Sequence, residues 1–233
     1  MPTSDDRGRA PVTPDDVRQS VGLASAALTA AASADWRVRA GSLEWSCRDT
    51  VEHLADDYFG YAAQLGPRKP PLSSGVPFAY TSREAGGPAN TVLADVEAGN
   101  AGLVQVLEAC GAMLEAVVRT APADVRAWHP YGVSDPEGFA AMGIVETLVH
   151  LHDVAQGLGF PWDPPAGLCE RVLHRLFRDV RTDAAPWPSL LWATGRTELP
   201  GLPRRTSWRW DSTLLPADAP LPQARRGEAP APG

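Results

Sequence analysis

The chain has 233 residues, 44% of them hydrophobic, which is enough for one sizeable core and gives no reason from length to expect two. A formal charge of -7 and a sequence pI near 5.2 argue against electrostatic capture of nucleic acid or an anionic membrane, since both need a basic footprint. Cys47, Cys110 and Cys169 are odd in number and lack C-x-x-C spacing, so neither a disulfide framework nor a zinc-thiolate knuckle is predicted, and a reducing, cytoplasmic compartment is expected.

A small, apolar stretch over residues 21–32 has the look of a targeting signal but lacks a basic leader, because it follows Pro14, Asp15 and Asp16. Those residues instead open a first helix, with Thr13 as N-cap, Pro14 at the first helical position and Asp16 three residues after the cap. No apolar run is expected to reach membrane-spanning length. A second capping box, Ser46-x-x-Asp49, predicts a helix running to about Leu65 and ending at Gly66-Pro67. Residues 66–90 carry five prolines and several glycines and are expected to form a long connection.

From about Thr91 to Arg119 the spacing of Leu103, Leu107, Cys110, Leu114 and Val117 predicts a third helix with one buried stripe. A fourth opens at Asp135-Pro136-Glu137 and stops at Gly157-Leu158-Gly159, and a fifth opens at Asp163-Pro164 and runs through Leu168, Val172, Leu176 and Val180. After Pro186 only a short ordered piece holding Leu190, Leu191, Trp192, Trp208 and Trp210 is expected. The expected organisation is therefore an N-terminal segment over 1–12 that is flexible, one helical-bundle domain over 13–212, and a disordered tail rich in Pro and Ala over 213–233. No phosphate-cradling Gly-rich loop or G-x-S-x-G elbow occurs.

Chemistry concentrates on the fourth helix. At about 100° per residue, Glu146, His150 and Asp153 share an arc with Phe139, Met142 and Val149, so ionisable groups point toward the core and need partners. The i, i+4 spacing of Glu146 and His150 suits adjacent metal ligands, although such a pair on a helix is more commonly an ion pair or a satisfied core histidine. His53, on the second helix, lies roughly 130° from the centre of its aliphatic stripe and can face the core only if that helix touches two neighbours. Two imidazoles and a carboxylate would suit a divalent ion such as zinc with one position left open. Asp49, Asp57 or Asp153 could then orient an imidazole. His152, His129, His174 and Cys47 read as structural or surface residues, and the tryptophans, Trp45 and Trp128 included, as packing. Arg68, Lys69 and Arg83 in the long connection are weak candidates for holding carboxylates of a thiol or substrate.

The run Trp45-Ser46-Cys47-Arg48-Asp49-Thr50-Val51-Glu52-His53-Leu54 resembles the W-[TS]-x-x-D-x-x-x-H-L signature of DinB-like proteins, specifically the mycothiol-dependent maleylpyruvate isomerase N-terminal family. Glu146, His150 and Asp153 resemble its second motif, E-x-x-x-H-x-x-D, and the similarity covers residues 14–180. The resemblance implies an all-α four-helix bundle, here with an additional C-terminal helix and a short irregular tail. It makes His53, Glu146 and His150 the metal ligands and leaves Asp153 in a matching supporting position. It further implies a divalent metal, zinc by donor type, mycothiol or a similar thiol as cosubstrate, and a small electrophile as substrate. That is a thiol transferase or isomerase; a homodimer is compatible with the family. The alternative is a non-catalytic metal- or ligand-binding bundle. The full isomerase carries a further C-terminal domain that helps build the substrate site, whereas the stretch after Pro186 here is expected to be short, Pro-rich and partly disordered, which argues against maleylpyruvate itself as the substrate.

Overall fold

The computed structural model describes residues 10–214, and among these the chain is all-helical, with isolated bridges and no strand. The helices are α1 (Pro14–Ala30), α2 (Cys47–Leu65), α3 (Gly99–Thr120), α4 (Pro136–Leu158), α5 (Ala166–Leu176) and α6 (Pro186–Ala193). Helices α1 to α4 form the bundle, and α5 and α6 extend it, so there are two additional helices where one was expected.

Local chemistry sets most of the boundaries. Thr13 and Ser46 each accept from the backbone three residues on, while Asp16 and Asp49 reach back to the caps, closing both capping boxes. Asp135 caps α4 through Gly138 N, and Gly159, at φ 77, ends it in the left-handed conformation that only glycine adopts at little cost. Helix α4 is buried on nearly all sides, as befits an element that touches α1, α2, α3 and α5.

Helix α5 begins at Ala166, after Pro165 and without a side-chain cap, rather than at Asp163-Pro164; two further boundaries differ from the sequence expectation for tertiary reasons. Helix α3 begins at Gly99 rather than near Thr91 because carboxylates on α2 hold the preceding residues extended: Asp56 accepts from Thr91 N and Val92 N, and Glu52 from Ala94 N. A short 3-10 turn, Val96–Ala98, then leads into the helix. Helix α5 stops at Leu176 rather than continuing to Val180, and the returning chain takes its last carbonyl, Asp211 N donating to Leu176 O.

The stretch Val96–Thr120 is long and apolar enough to cross a membrane by length and composition, contrary to the expectation of no such run. In the bundle its stripe of Leu103, Leu107, Cys110 and Leu114 is buried and the helix packs on α1 and α2. At the N-terminal edge Val12 is buried and donates to Glu137 Oε1. At the other end Thr213 accepts from Arg178. The rest of the expected flexible N-terminus and Pro/Ala-rich tail, residues 1–9 and 215–233, lies outside the described residues.

Candidate metal centre

Helix α2 packs against both α3 and α4, and this double contact turns the His53 side of the helix inward. His53 and Asp57, one turn apart on α2, meet His150 of α4, and each offers a ligand atom within 4.8 Å of the other two. Their rings and carboxylate form a compact group: His53 Nε2 lies 3.5 Å from Asp57 Oδ2, and the two imidazoles sit edge to face with centroids 5.8 Å apart. Glu146 joins it, with Oε2 3.1 Å from His150 Nε2 and Oε1 accepting from the Tyr61 hydroxyl at 3.5 Å.

The imidazoles are oriented from behind. Asn90, fully buried, places Oδ1 3.2 Å from His53 Nδ1, so that a proton on Nδ1 leaves the Nε2 lone pair aimed at the cluster. A bridge between Thr81 and Asn90, with hydrogen bonds in both directions, fixes the end of the long connection there. Behind His150, Asp153 Oδ2 lies 3.8 Å from Nδ1, and Asp153 is itself held by Arg196.

Electrostatics distinguish the two carboxylates. Burial and the neighbouring Glu146 push the Asp57 carboxyl well above its ordinary range. Burial also acts to raise Glu146, but its hydrogen bond to His150 and the charges of His150, His53 and Arg196 outweigh it and hold the group below its usual value. Two carboxylates side by side in a site that favours only one of them as an anion are what a divalent cation relieves. The fit is supported by an orphaned atom: Asp57 Oδ2 is buried and has no hydrogen-bond partner. The donor set of imidazoles and carboxylates suits a borderline divalent ion.

His53, Glu146 and His150 line a cavity of about 420 Å³. Trp45 forms one side, its ring edge-on to His53 and its Nε1 donating to Gly86 O. Tyr131, Trp208 and Trp210 supply aromatic surface, and Arg196 and Arg204 supply positive charge. Arg204 donates through Nε to Gly195 O, with its terminal nitrogens beyond that bond.

Of the residues singled out in the sequence, His53, Asp57, Glu146, His150 and Asp153 come together here. Asp49 does not: its carboxylate is occupied by Ser46 at the cap of α2. Arg83 is bonded to both oxygens of Glu52, which is 2% exposed, and so anchors the long connection to α2. Arg68 is exposed and, like Lys69, does not line the cavity. Cys47 packs in the core, where burial raises its thiol to about 11, and His152 pairs with Gln156 and Trp187. His129 stacks on Trp210 with its Nδ1 accepting from Tyr131 N, and His174 lies on α5. The sequence reading missed Asn90, Arg196 and Arg204 and treated Trp208 and Trp210 as packing. The one local signal was the alternation Trp208-Arg209-Trp210 in an otherwise Pro- and Arg-rich stretch.

In a comparison with known protein families, residues 17–155 match the mycothiol maleylpyruvate isomerase N-terminal domain. That span is more than half of the chain and contains His53, Asp57, Glu146, His150 and Asp153. No curated protein sequence and no solved structure matches the chain.

Proposed function

The chain belongs to the mycothiol maleylpyruvate isomerase N-terminal domain family, and from that premise we propose that it is a metal-dependent transferase or isomerase that uses a low-molecular-weight thiol of the mycothiol type on a small electrophilic substrate. The observation that carries this reading is that His53, Asp57 and His150 converge, with Glu146 against His150, and that His53, Glu146 and His150 line an aromatic cavity.

His53, Glu146 and His150 would hold the ion, zinc by the character of the donors. Such an ion lowers the pKa of a coordinated thiol until the sulfur reacts as thiolate. The protein's own part is to bind, orient and exclude water. Asn90, 3.2 Å from His53 Nδ1, and Asp153, 3.8 Å from His150 Nδ1, would favour the tautomers that leave each Nε2 free to bind an ion. Asp57 stands beside the site with a buried oxygen that no protein hydrogen bond occupies, within reach of whatever His53 and His150 hold. Trp45, Trp208 and Trp210 narrow the access of water to the thiol and give a flat apolar surface for the electrophile.

Asp57 also favours a second reading. If it serves as a fourth protein donor, the coordination closes and the bundle is a non-catalytic metal-binding protein. Both readings are tested by elemental analysis of protein purified without chelators or a nickel column. One divalent ion per chain, lost in Glu146→Ala and His150→Ala variants that keep their helical circular dichroism, is the expected result. Titrating the cobalt-substituted protein with mycothiol then separates the two, because a sulfur-to-cobalt charge-transfer band requires an open position. A chain that takes up no metal, even on reconstitution, overturns both readings.

A further inference from the structure

Arg196 lies 41 residues beyond the end of the family match, yet it lines the cavity over the centre. Helix α6 ends in a tight hydrogen-bonded turn: Gly195 N donates to Trp192 O, and Arg196 N reaches back to Leu191 O. This pairing is the Schellman pattern, and it requires the left-handed residue that Gly195 supplies at φ 69. A Cβ on Gly195 would come 2.7 Å from Arg205 O and 3.0 Å from the Trp208 ring, so the turn is also closely packed. The turn projects Arg196 back across α4.

Its side chain is fully committed. Nε and one terminal nitrogen bond the two oxygens of Asp153 at 3.3 and 2.6 Å, the other terminal nitrogen bonds Thr194 O at 2.9 Å, and the guanidinium carbon lies 5.8 Å from the Trp208 ring centroid. The pair is shielded, with the Arg196 side chain 11% and that of Asp153 2% exposed. A bidentate guanidinium fixes a buried carboxylate in direction. The oxygen that Arg196 holds most closely, Asp153 Oδ2, also lies 3.8 Å from Nδ1 of His150, which is buried without a hydrogen-bond partner.

We infer that Arg196 is a positioning residue for the metal centre, acting through Asp153 to hold the His150 imidazole with Nδ1 protonated and Nε2 presented to the ion. The inference rests on the proposed metal site and assigns part of its construction to the segment after α6, outside the matched domain. It makes this C-terminal segment, with Trp208 and Trp210, a working wall of the centre. Arg196 touches no reacting atom.

The test is zinc affinity, measured by competition with a chromophoric chelator, in the parent full-length chain, in Arg196→Lys, and in a double Asp153→Asn/Arg196→Met variant. The double variant removes both buried charges together and so avoids leaving one unpaired. Zinc binding should weaken by about 10- to 100-fold in the double variant, with a smaller loss in Arg196→Lys, whose ammonium keeps the charge but not the fork. In the zinc-loaded parent the Nδ1 proton of His150 should give a slowly exchanging downfield NMR signal, and in the double variant it should exchange rapidly. If Arg196 only fastened the C-terminal segment, melting temperature would fall while zinc affinity and the imidazole signal stayed at parent values; that result overturns the inference. Failure of the parent chain to bind zinc overturns the metal site itself and this inference with it.

Discussion

Asn90 and His53 are joined by a side-chain contact of 3.2 Å between Oδ1 and Nδ1, although Asn90 ends a long proline-rich connection and His53 sits in the middle of a helix. The contact ties the orientation of a proposed metal ligand to the anchoring of a loop. Replacing Asn90 by Ala should weaken zinc binding by about 10- to 100-fold, the usual cost of removing a partner that orients a ligand. The accompanying loss of folding stability should be about 1 kcal/mol. Chelator competition and urea unfolding measure the two effects separately. Equal zinc affinity in parent and variant would show that His53 needs no such support.

His129 gives a pH dependence with a definite sign. Burial lowers its pKa from 6.5 to about 4, with the charge of Glu146 acting weakly the other way. Above pH 6.5 the ring is neutral in folded and unfolded chains alike. Between there and pH 4 the unfolded chain binds a proton that the folded chain refuses, so stability falls as pH falls. Below about 4 both states are protonated and the slope from this residue ends. The full contribution is on the order of 3 kcal/mol. In His129→Asn, where the amide oxygen can still accept from Tyr131 N, this part of the acid sensitivity should disappear. Urea unfolding of the metal-stripped proteins at a series of pH values checks it; parallel curves would refute the assignment.

How far the sequence could be read depended on how local each determinant was. The starts of α1, α2 and α4 are written in their own caps, Thr13, Ser46 and Asp135, so their positions follow from a few adjacent residues. The juxtaposition of Glu146 and His150 follows equally from helix pitch. The start of α3 was not legible, because Asp56 and Glu52 hold residues 91–94 extended from another helix. His53 was ambiguous by periodicity, since what turns it inward is contact of α2 with two neighbours. Asn90, Arg196, Trp208 and Trp210 reach the centre through turns whose direction no periodicity encodes. Asp57 was read as a supporting group, and the structure places its oxygen among the candidate donors.

Gly157 and Gly143 both lie inside α4, where Ala is intrinsically the better helix former by about 1 kcal/mol. Packing should reverse that preference at one of them. A Cβ at Gly157 would stand 2.3 Å from Arg39 O and 2.6 Å from Cys47 Sγ, and a backbone carbonyl cannot move aside cheaply. At Gly143 the closest atom is the terminal Leu114 Cδ2, at 2.5 Å, which can rotate. Gly157→Ala should therefore lose about 2 kcal/mol net, and Gly143→Ala less than about 1 kcal/mol. Urea unfolding followed by tryptophan fluorescence reads both, and a Gly157→Ala variant as stable as the parent would disprove the close approach.

Asp57 should show opposite effects on stability and on metal binding. In the metal-free protein its carboxyl is buried beside Glu146, and burial and that neighbour both penalise its charge. Its folded pKa lies above the unfolded value. Between the two pKa values the folded state binds the extra proton, so the group's contribution to stability falls as pH rises and is unfavourable at neutral pH. Asp57→Asn removes the charge while keeping the shape. The metal-free variant should consequently melt about 2–4 °C higher than the metal-free parent at pH 7. Zinc affinity should move the other way, falling at least about tenfold, because the oxygen lost or neutralised is one without a protein hydrogen-bond partner and within reach of the ion. Repeating the melting at pH 4, where the parent carboxyl is protonated, should shrink the stability gain. A variant that is both less stable without metal and unchanged in zinc affinity would mean that Asp57 is an ordinary structural residue, and that the cluster is built by the two histidines and Glu146 alone.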